Sequence, residues 1–353
     1  MLTFVVVPCL NEVDFIEAAI ASLGFAPDLS PPPETELIAV DNGSTDGTLE
    51  LLDRLARGGA GRIHRVEEPI RGYVPPRHRG VITAAALADA RKVPLDDVLI
   101  LQADADTIYK SGYTVAMQSA AEGRQGVMLE GATRRPPEFE QLHPDYVRAE
   151  RSVDLTVEVL EAADEDEVVV DDKACGYRLA DYLAWGGLFE EWTEAGEPIH
   201  AETTRLFMRA RLCAGAKKVR VNPAGAASSR RRVQEDPWLQ FATSGFPREK
   251  SWVDQWKPCH PCYNDIDAFG RAVLAGREAD AAFLRRAHAL VLFRFLPALM
   301  AQACSASISL EFAPDIRDAL DAVPRRSPSE IARRPGLALT DVFSLIDTHP
   351  EFF

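Results

Sequence analysis

The chain opens on a β-branched, largely apolar run from Leu2 to Val7, closed by Pro8 and then by the polar turn Asn11-Glu12. Apolar residues return at Phe15, Ile16, Ala19, Ile20 and Leu23, a spacing of about 3.6 residues. A strand, a loop and a helix are predicted. The pattern recurs in "ELIAVDNGSTDGTLELLDRL", where Asp46 is placed to cap a helix carrying Leu49, Leu51, Leu52 and Leu55. A third short strand is expected near Ile63 to Val66, followed by "GYVPPRHRG" and an alanine-rich helix from Val81 to Arg91. A fourth, "DDVLILQADADT", ends in a second acidic motif. Apolar strands alternating with helices predict an α/β fold with a parallel sheet covered on both faces. Ligands of such sheets bind beyond the carboxyl ends of the strands, where Pro8, Asp41 and Asp104 fall.

Further along, "RRPPEFEQLHP" reads as a loop by its prolines. Tyr146 to Ala163 reads as an amphipathic helix, and the acidic run "DEDE" after it as a solvated end. "QEDPWLQFATSGFPREKSWVDQWKP" combines tryptophans with turn residues and suits a lid or acceptor loop. From Asn264 to Val323 the pattern is helical. Its most apolar stretch, "FLRRAHALVLFRFLPALMAQ", is broken by Arg294 and Pro297, which favours a buried or dimer-forming helix over a membrane span. A helix lying on a lipid surface is a lesser alternative. The last thirty residues, with "RRSPSE" as a capped helix start, read as an appendage.

A chain of 353 residues has ample length for a core, and its net charge of −15 argues against nucleic acid and against a basic patch for anionic lipid. A small partner is expected. No uninterrupted apolar stretch of about 18 residues is present, nor a basic segment ahead of an apolar one at the N-terminus, so a cytoplasmic protein is expected. The six cysteines (9, 175, 213, 259, 262 and 304) are scattered, and "CHPC" at Cys259 to Cys262 lacks a second ligand pair; ordinary thiols are expected.

Candidate chemistry sits in four carboxylates: Asp41 and Asp46 in "VDNGSTDGT", Asp104 and Asp106 in "LQADADT". A sugar diphosphate carries charge that must be held and then stabilised as the leaving group departs, and Mg2+ or Mn2+ prefers hard carboxylate and phosphate oxygens. Asp104 and Asp106 would share a face if the segment stayed extended. The bland reading of the same residues is a polar turn capping a helix at Thr107, and that of "DNGS" a turn using the positive φ of Asn and Gly.

The order "VVVPCLNE", "VDNGSTDGT", "RHRG", "DADT" resembles the nucleotide-binding half of family 2 glycosyltransferases. The likeness continues through "CGYRLADYLAWGGLFEE" and "AETTRLFMRARLCAGAKKVRVNPAGAASSRRR". It implies a GT-A fold, a Rossmann-like, mostly parallel sheet flanked by helices, over residues 1–235. Residues 1–130 would bind the nucleotide sugar and 131–235 the acceptor, with a mainly helical extension over 236–353. By the same resemblance Pro8, Asn11, Glu12, Asp41, Asn42, Ser44, Arg77, Asp104 and Ala105 line the nucleotide-sugar pocket, Asp41 reading the ring N–H of uracil. Asp104 and Asp106 would hold Mg2+ or Mn2+. Trp185, Gly186 and Gly187 would form the acceptor side, where Trp185, Trp192 or Tyr177 either stacks on sugar or packs in the core. His78, where many relatives have Asn, receives no role.

The implied reaction is metal-dependent, inverting transfer of a sugar from a nucleotide diphosphate sugar, UDP-sugar favoured, to a carbohydrate, lipid-linked or small-molecule hydroxyl. The C-terminal helices are candidates for a homodimer contact. Relatives place the catalytic base in a Glu-Asp pair at a helix start, but here the pair reads Glu202-Thr203. Glu202 is the expected base, with Glu194 or Glu197 as substitutes and a catalytically lapsed nucleotide-sugar binder as the alternative. A nucleotidyltransferase would need a Gly-rich loop after the first strand, and "PCLNEVD" has none. Processive polysaccharide synthesis fits poorly, because Gln234 and Trp238 have no Arg between them.

Overall fold

The computed structural model describes residues 1–26, 32–59, 61–158, 167–244, 263–304 and 312–353. The chain divides into two compact units, each assembled from separate segments. Unit 1 comprises Met1–Arg134, Val170–Glu190 and Glu202–Ser229; unit 2 comprises Arg135–Val169, Glu191–Ala201 and Arg230–Phe353. The last segment of unit 1 ends at Ser229, and the stretches 135–169 and 191–201 belong to unit 2.

Unit 1 is built on an eight-stranded sheet: β1 (Leu2–Cys9), β2 (Thr35–Asp41), β3 (Ile63–Glu67), β4 (Val98–Ala103), β5 (Thr107–Tyr109), β6 (Val127–Arg134), β7 (Ala174–Arg178) and β8 (Lys217–Ser228). The spatial order is β3-β2-β1-β4-β7-β6-β8-β5. β3, β2, β1 and β4 run parallel, as the alternation with helices predicts. β7 runs antiparallel to both β4 and β6, so the sheet is mixed. β1, β2 and β4 are buried on both faces, which explains their largely apolar runs.

Helices α1 (Ile16–Ser22), α2 (Thr48–Gly58) and α3 (Val74–Ala90) connect the parallel strands, with α4 (Tyr113–Ala121) following β5. Core residues divide between the two sheet faces, Val5, Val7 and Leu37 on one and Phe4, Val6 and Ile38 on the other. α3 begins at Val74 rather than Val81, because Pro75 and Pro76 sit in its first turn, where a missing N–H costs nothing. The "RHRG" motif is thus helical. Its Gly80 lets α3 lie directly on the sheet, since a Cβ there would stand 2.3 Å from Val6 Cγ1.

In unit 2 a helix, α5 (Pro137–Leu142), replaces the loop that the prolines suggested, and α6 (Pro144–Asp154) is the helix expected from Tyr146, begun earlier on Pro144. The helix Ile266–Leu274 crosses α6 backbone to backbone, as a Cβ on Gly270 would stand 2.4 Å from Tyr146 N. Asp267 Oδ1 accepts from the N–H groups of Asp145 (3.0 Å) and Tyr146 (3.1 Å), capping α6. Phe241 packs edge-on against Tyr146 and Phe269, which tilt against each other at this crossing. Within this unit Arg285 is bidentate to Asp154, at 2.6 and 2.8 Å.

The run Ala279–Cys304 is continuous despite Pro297: the helix Ala279–Leu290 passes through a π-turn at Val291–Phe295 into Leu296–Cys304, re-routing the backbone bond that proline cannot make. By length and composition it is the one described helix apolar enough to cross a membrane, and 56% of its most apolar window is buried in the protein. Ser327 and Glu330 form the expected capping box. Cys9, Cys175 and Cys213 are free thiols. The "CHPC" pair, residues 164–166 of the acidic run, residues 159–163 of the helix expected over Tyr146 to Ala163 and residues 245–258 of the expected lid lie outside the described residues, and the described part of that helix ends at Asp154.

Burial in this unit has a consequence for pH. Desolvation pushes the His288 imidazole down to about 4. The folded protein therefore binds fewer protons than the unfolded chain between that value and about 6.5, the ordinary histidine value. Stability from this group is complete above the higher value and is lost as pH falls, by up to roughly 3 kcal/mol. Chemical denaturation at pH 7, 6 and 5 is expected to show a shallower decline for His288→Gln than for wild type; parallel declines would contradict the assignment.

Candidate functional site

The site lies at the carboxyl ends of the parallel strands. Cys9 and Asp41 are neighbours across β1 and β2, and the Asn42 N–H donates to Cys9 O at 2.8 Å. The two following loops are stitched by side chains. Asn11, at φ 57°, donates its N–H to Ser44 Oγ (3.0 Å), and its Oδ1 accepts from the Thr45 N–H (2.8 Å). The Glu12 N–H donates to Thr48 Oγ1 at 2.8 Å. Asp46 takes the Val13 N–H at 3.2 Å and the Thr48 hydroxyl at 2.6 Å, so it ties the loops together, while Gly47 occupies the helix-cap position. Against a desolvation cost, those bonds hold the Asp46 carboxyl below its ordinary value.

Asn42 is wholly committed to structure, its amide donating to Glu68 O (2.8 Å) and Ile70 O (2.7 Å) and accepting from the Gly72 N–H (3.2 Å). Asp41 is buried and accepts from the N–H groups of Gly43 (3.0 Å) and Ser44 (3.2 Å). The turn reading and the strand-end reading of "DNGS" are therefore both realised. A carboxylate has about four acceptor positions, so Asp41 keeps capacity for one further donor.

At the centre stands Arg77, buried in the first turn of α3. Its Nη2 meets Asp104 Oδ1 at 2.6 Å and Asp172 Oδ2 at 3.1 Å, its Nε donates to Glu202 Oε1 at 3.1 Å, and its Nη1 donates to Gln102 Oε1 at 3.3 Å. Burial alone would lower the Arg77 pKa; Asp104, Asp172 and Glu202 more than reverse this and hold the guanidinium charged. Topology makes the cluster. β7 is antiparallel to β4 with Ala174 beside Ala103, which delivers Asp172 next to Asp104. Asp172, Gln102 and the Tyr109 that fixes the acidic turn were not singled out in the sequence; the signal was "DDK" leading a strand that pairs with the acidic one.

Asp104-Ala105-Asp106 is a turn between β4 and β5 rather than extended chain. The Asp104 N–H donates to Tyr109 Oη (2.8 Å), whose hydroxyl donates to Lys173 O (2.8 Å). Shared facing through strand alternation therefore does not apply to the two aspartates, and Ala105 is buried beneath them. Among the described residues no three His, Cys, Asp or Glu side chains are grouped to hold an ion alone. Mg2+ and Mn2+ need no such cage, since one or two carboxylates with phosphate oxygens and water suffice. On donor chemistry, Asp104 and Asp106 fit that task.

The expected acceptor residues are placed differently. Trp185 is 2% exposed and packs edge-on against Tyr177, which stacks on Tyr182. Trp185 and Tyr177 are core residues, and neither offers a face to a sugar; Trp192 is exposed. Gly186 (φ 84°) and Gly187 (φ 67°) turn the chain out of α7 (Leu179–Ala184), and Arg209 donates to the carbonyls of Trp185 and Gly187. His78 also has a structural partner, as its Nδ1 lies 2.7 Å from Tyr182 Oη and burial lowers its pKa.

Glu202 opens α8 (Glu202–Ala214) and is 4% exposed, its carboxylate turned to Arg77. The structure thus does not present the expected base to an acceptor; the ion pair draws it inward. Thr203 is 1% exposed. The carboxylates of the cluster that reach the surface are Asp104, 29% exposed, and Asp172, 40% exposed.

Residues 4–129 match the family described as "Glycosyl transferase family 2". The succinoglycan biosynthesis protein ExoA of Rhizobium meliloti (strain 1021) is 50% identical over 54 residues, which span 15% of this chain and 16% of that protein. Among solved structures, S. aureus TarS 1–349 in complex with UDP is 16% identical with a TM-score of 0.44, covering 99% of this chain and 92% of its own. The mannosyltransferase PcManGT from Pyrobaculum calidifontis, in complex with GDP-Man and Mn2+, is 16% identical with a TM-score of 0.45, covering 98% and 84%.

Thr203 Oγ1 is buried with no hydrogen-bond partner. An orphaned buried hydroxyl costs roughly 1 to 3 kcal/mol, and valine keeps its shape. Thr203→Val is expected to unfold at equal or higher denaturant concentration than wild type. A clear destabilisation would mean that the hydroxyl has a partner.

Proposed function

We propose that this chain, which carries a family 2 glycosyl transferase domain over residues 4–129, moves a sugar from a nucleoside diphosphate sugar to an acceptor hydroxyl with inversion at the anomeric carbon. The observation that carries this reading is the Arg77 cluster, which brings Asp104 to the surface at the carboxyl ends of β1, β2 and β4. A nucleotide bound there would extend its base toward Asp41, whose spare acceptor capacity suits the ring N–H of uracil. UDP-sugar is accordingly the favoured donor, though guanine and thymine present a ring N–H too. The acceptor is a carbohydrate, lipid-linked or small-molecule hydroxyl.

In this reading Asp104 and Asp106 hold Mg2+ or Mn2+, which when bound supplies charge stabilisation for the departing diphosphate. Arg77 keeps Asp104 in place, and the stitched loops 11–13 and 44–48 fix the pocket floor. Glu12, nearly buried beside Thr48, completes the wall. Preorganised groups of this kind need not reorganise as charge develops.

Thermal denaturation with Mn2+ and nucleoside diphosphates tests the reading. A ligand at one hundred times its Kd stabilises by about 2.7 kcal/mol. UDP with Mn2+ is expected to raise Tm, CDP to raise it less by an amount equivalent to roughly 1 to 3 kcal/mol, and Asp106→Ala to abolish the Mn2+-dependent part. Equal protection by UDP and CDP would reject the Asp41 assignment, and protection of Asp106→Ala equal to wild type would reject the cation site.

A further inference from the structure

Inverting transfer needs a carboxylate within reach of the acceptor hydroxyl. Position 203, where the family's acidic pair would place it, is occupied by threonine and is 1% exposed. Glu202 is spent on Arg77. Asp171 is turned elsewhere, its Oδ1 2.5 Å from Lys173 Nζ and its N–H donated to Glu130 Oε1 at 2.8 Å. Asp104 serves the cation.

We propose that Asp172 is the catalytic base of this chain; the inference rests on the transferase reading. Asp172 is the most exposed carboxylate of the cluster, at 40%, and Arg77 Nη2 holds its Oδ2 at 3.1 Å, so the group is oriented and reaches the surface. It lies just ahead of β7, whose pairing with the end of β4 sets it beside Asp104. A base there stands next to the diphosphate-binding edge without being a residue of the nucleotide pocket. In the step, an Asp172 carboxylate oxygen takes the proton of the acceptor hydroxyl while the oxygen of that hydroxyl bonds to the anomeric carbon. The bond from the anomeric carbon to the diphosphate oxygen breaks, and its electron pair leaves on the nucleoside diphosphate. Asp172 then gives its proton to solvent.

The test measures nucleoside diphosphate released from UDP-glucose, UDP-N-acetylglucosamine and GDP-mannose with Mn2+, water standing in as acceptor, together with the Tm shift given by the same nucleotides. Asp172→Asn is expected to lower turnover by roughly 10² to 10⁴ with an unchanged nucleotide-induced Tm shift, and Asp172→Glu to recover part of the loss. Turnover of Asp172→Asn near wild type would overturn the assignment. Loss of the Tm shift along with turnover would also overturn it, by making Asp172 a donor-binding residue. Absence of wild-type turnover on all three donors would reject the transferase reading, and this inference with it.

Discussion

One buried guanidinium organises this protein's chemistry. Arg77 meets carboxylates from three separate stretches of chain: Asp104 after β4, Asp172 before β7 and Glu202 at the start of α8. None of these could be brought so close without the positive charge between them, because like charges in a partly desolvated site repel strongly. The converse also holds. A buried arginine left without its partners carries a penalty of about 3 to 5 kcal/mol. Gln102, itself fixed by its bond to Tyr177, adds a neutral acceptor that leaves the balance of charge unchanged. The cluster thus welds the parallel half of the sheet to the antiparallel half at the edge where a ligand would enter.

The alternation of apolar strands with helices made the first half of the fold legible, because both faces of β1, β2 and β4 are buried and their residues are mostly apolar. The second half was harder to read. β7 is only five residues long, and β6 and β8 carry exposed or half-buried positions, so neither shows a clean period. The prolines misled in a consistent way. At Pro137 and Pro144 they begin helices, where their fixed φ helps and the absent N–H is no loss, whereas the sequence reading treated them as loop markers. At Pro297 a π-turn absorbs the disruption that sequence alone assigns to a break.

The motif residues of the candidate site divide into two kinds that the sequence could not separate. Asn11, Asn42, Ser44 and Asp46 spend their side chains on backbone groups of neighbouring loops. They build the pocket and need not touch a ligand. Asp104 and Asp172 remain exposed in part and can. Trp185 shows the same ambiguity resolved the other way, since an aromatic beside two glycines reads as a sugar platform until the packing against Tyr177 turns it into core. Spacing along the chain reports which residues are close; it does not report which of their atoms are already used.

Charge closes the argument for a cation under the proposed function. Asp104, Asp172 and Glu202 together outweigh the single charge of Arg77, and the chain as a whole stands at −15. A nucleoside diphosphate brought to this edge meets net repulsion, and the buried Arg77 guanidinium is already surrounded by carboxylates. Affinity for such a donor must come from a positive charge added at binding, positioned between the phosphates and Asp104. A divalent ion with few protein ligands meets that requirement, because it leaves coordination sites for the phosphates that a closed protein cage would fill. The excess of acid at the site is therefore what would make donor binding depend on the metal, and it would allow Asp172 to stay an open carboxylate beside a bound dianion.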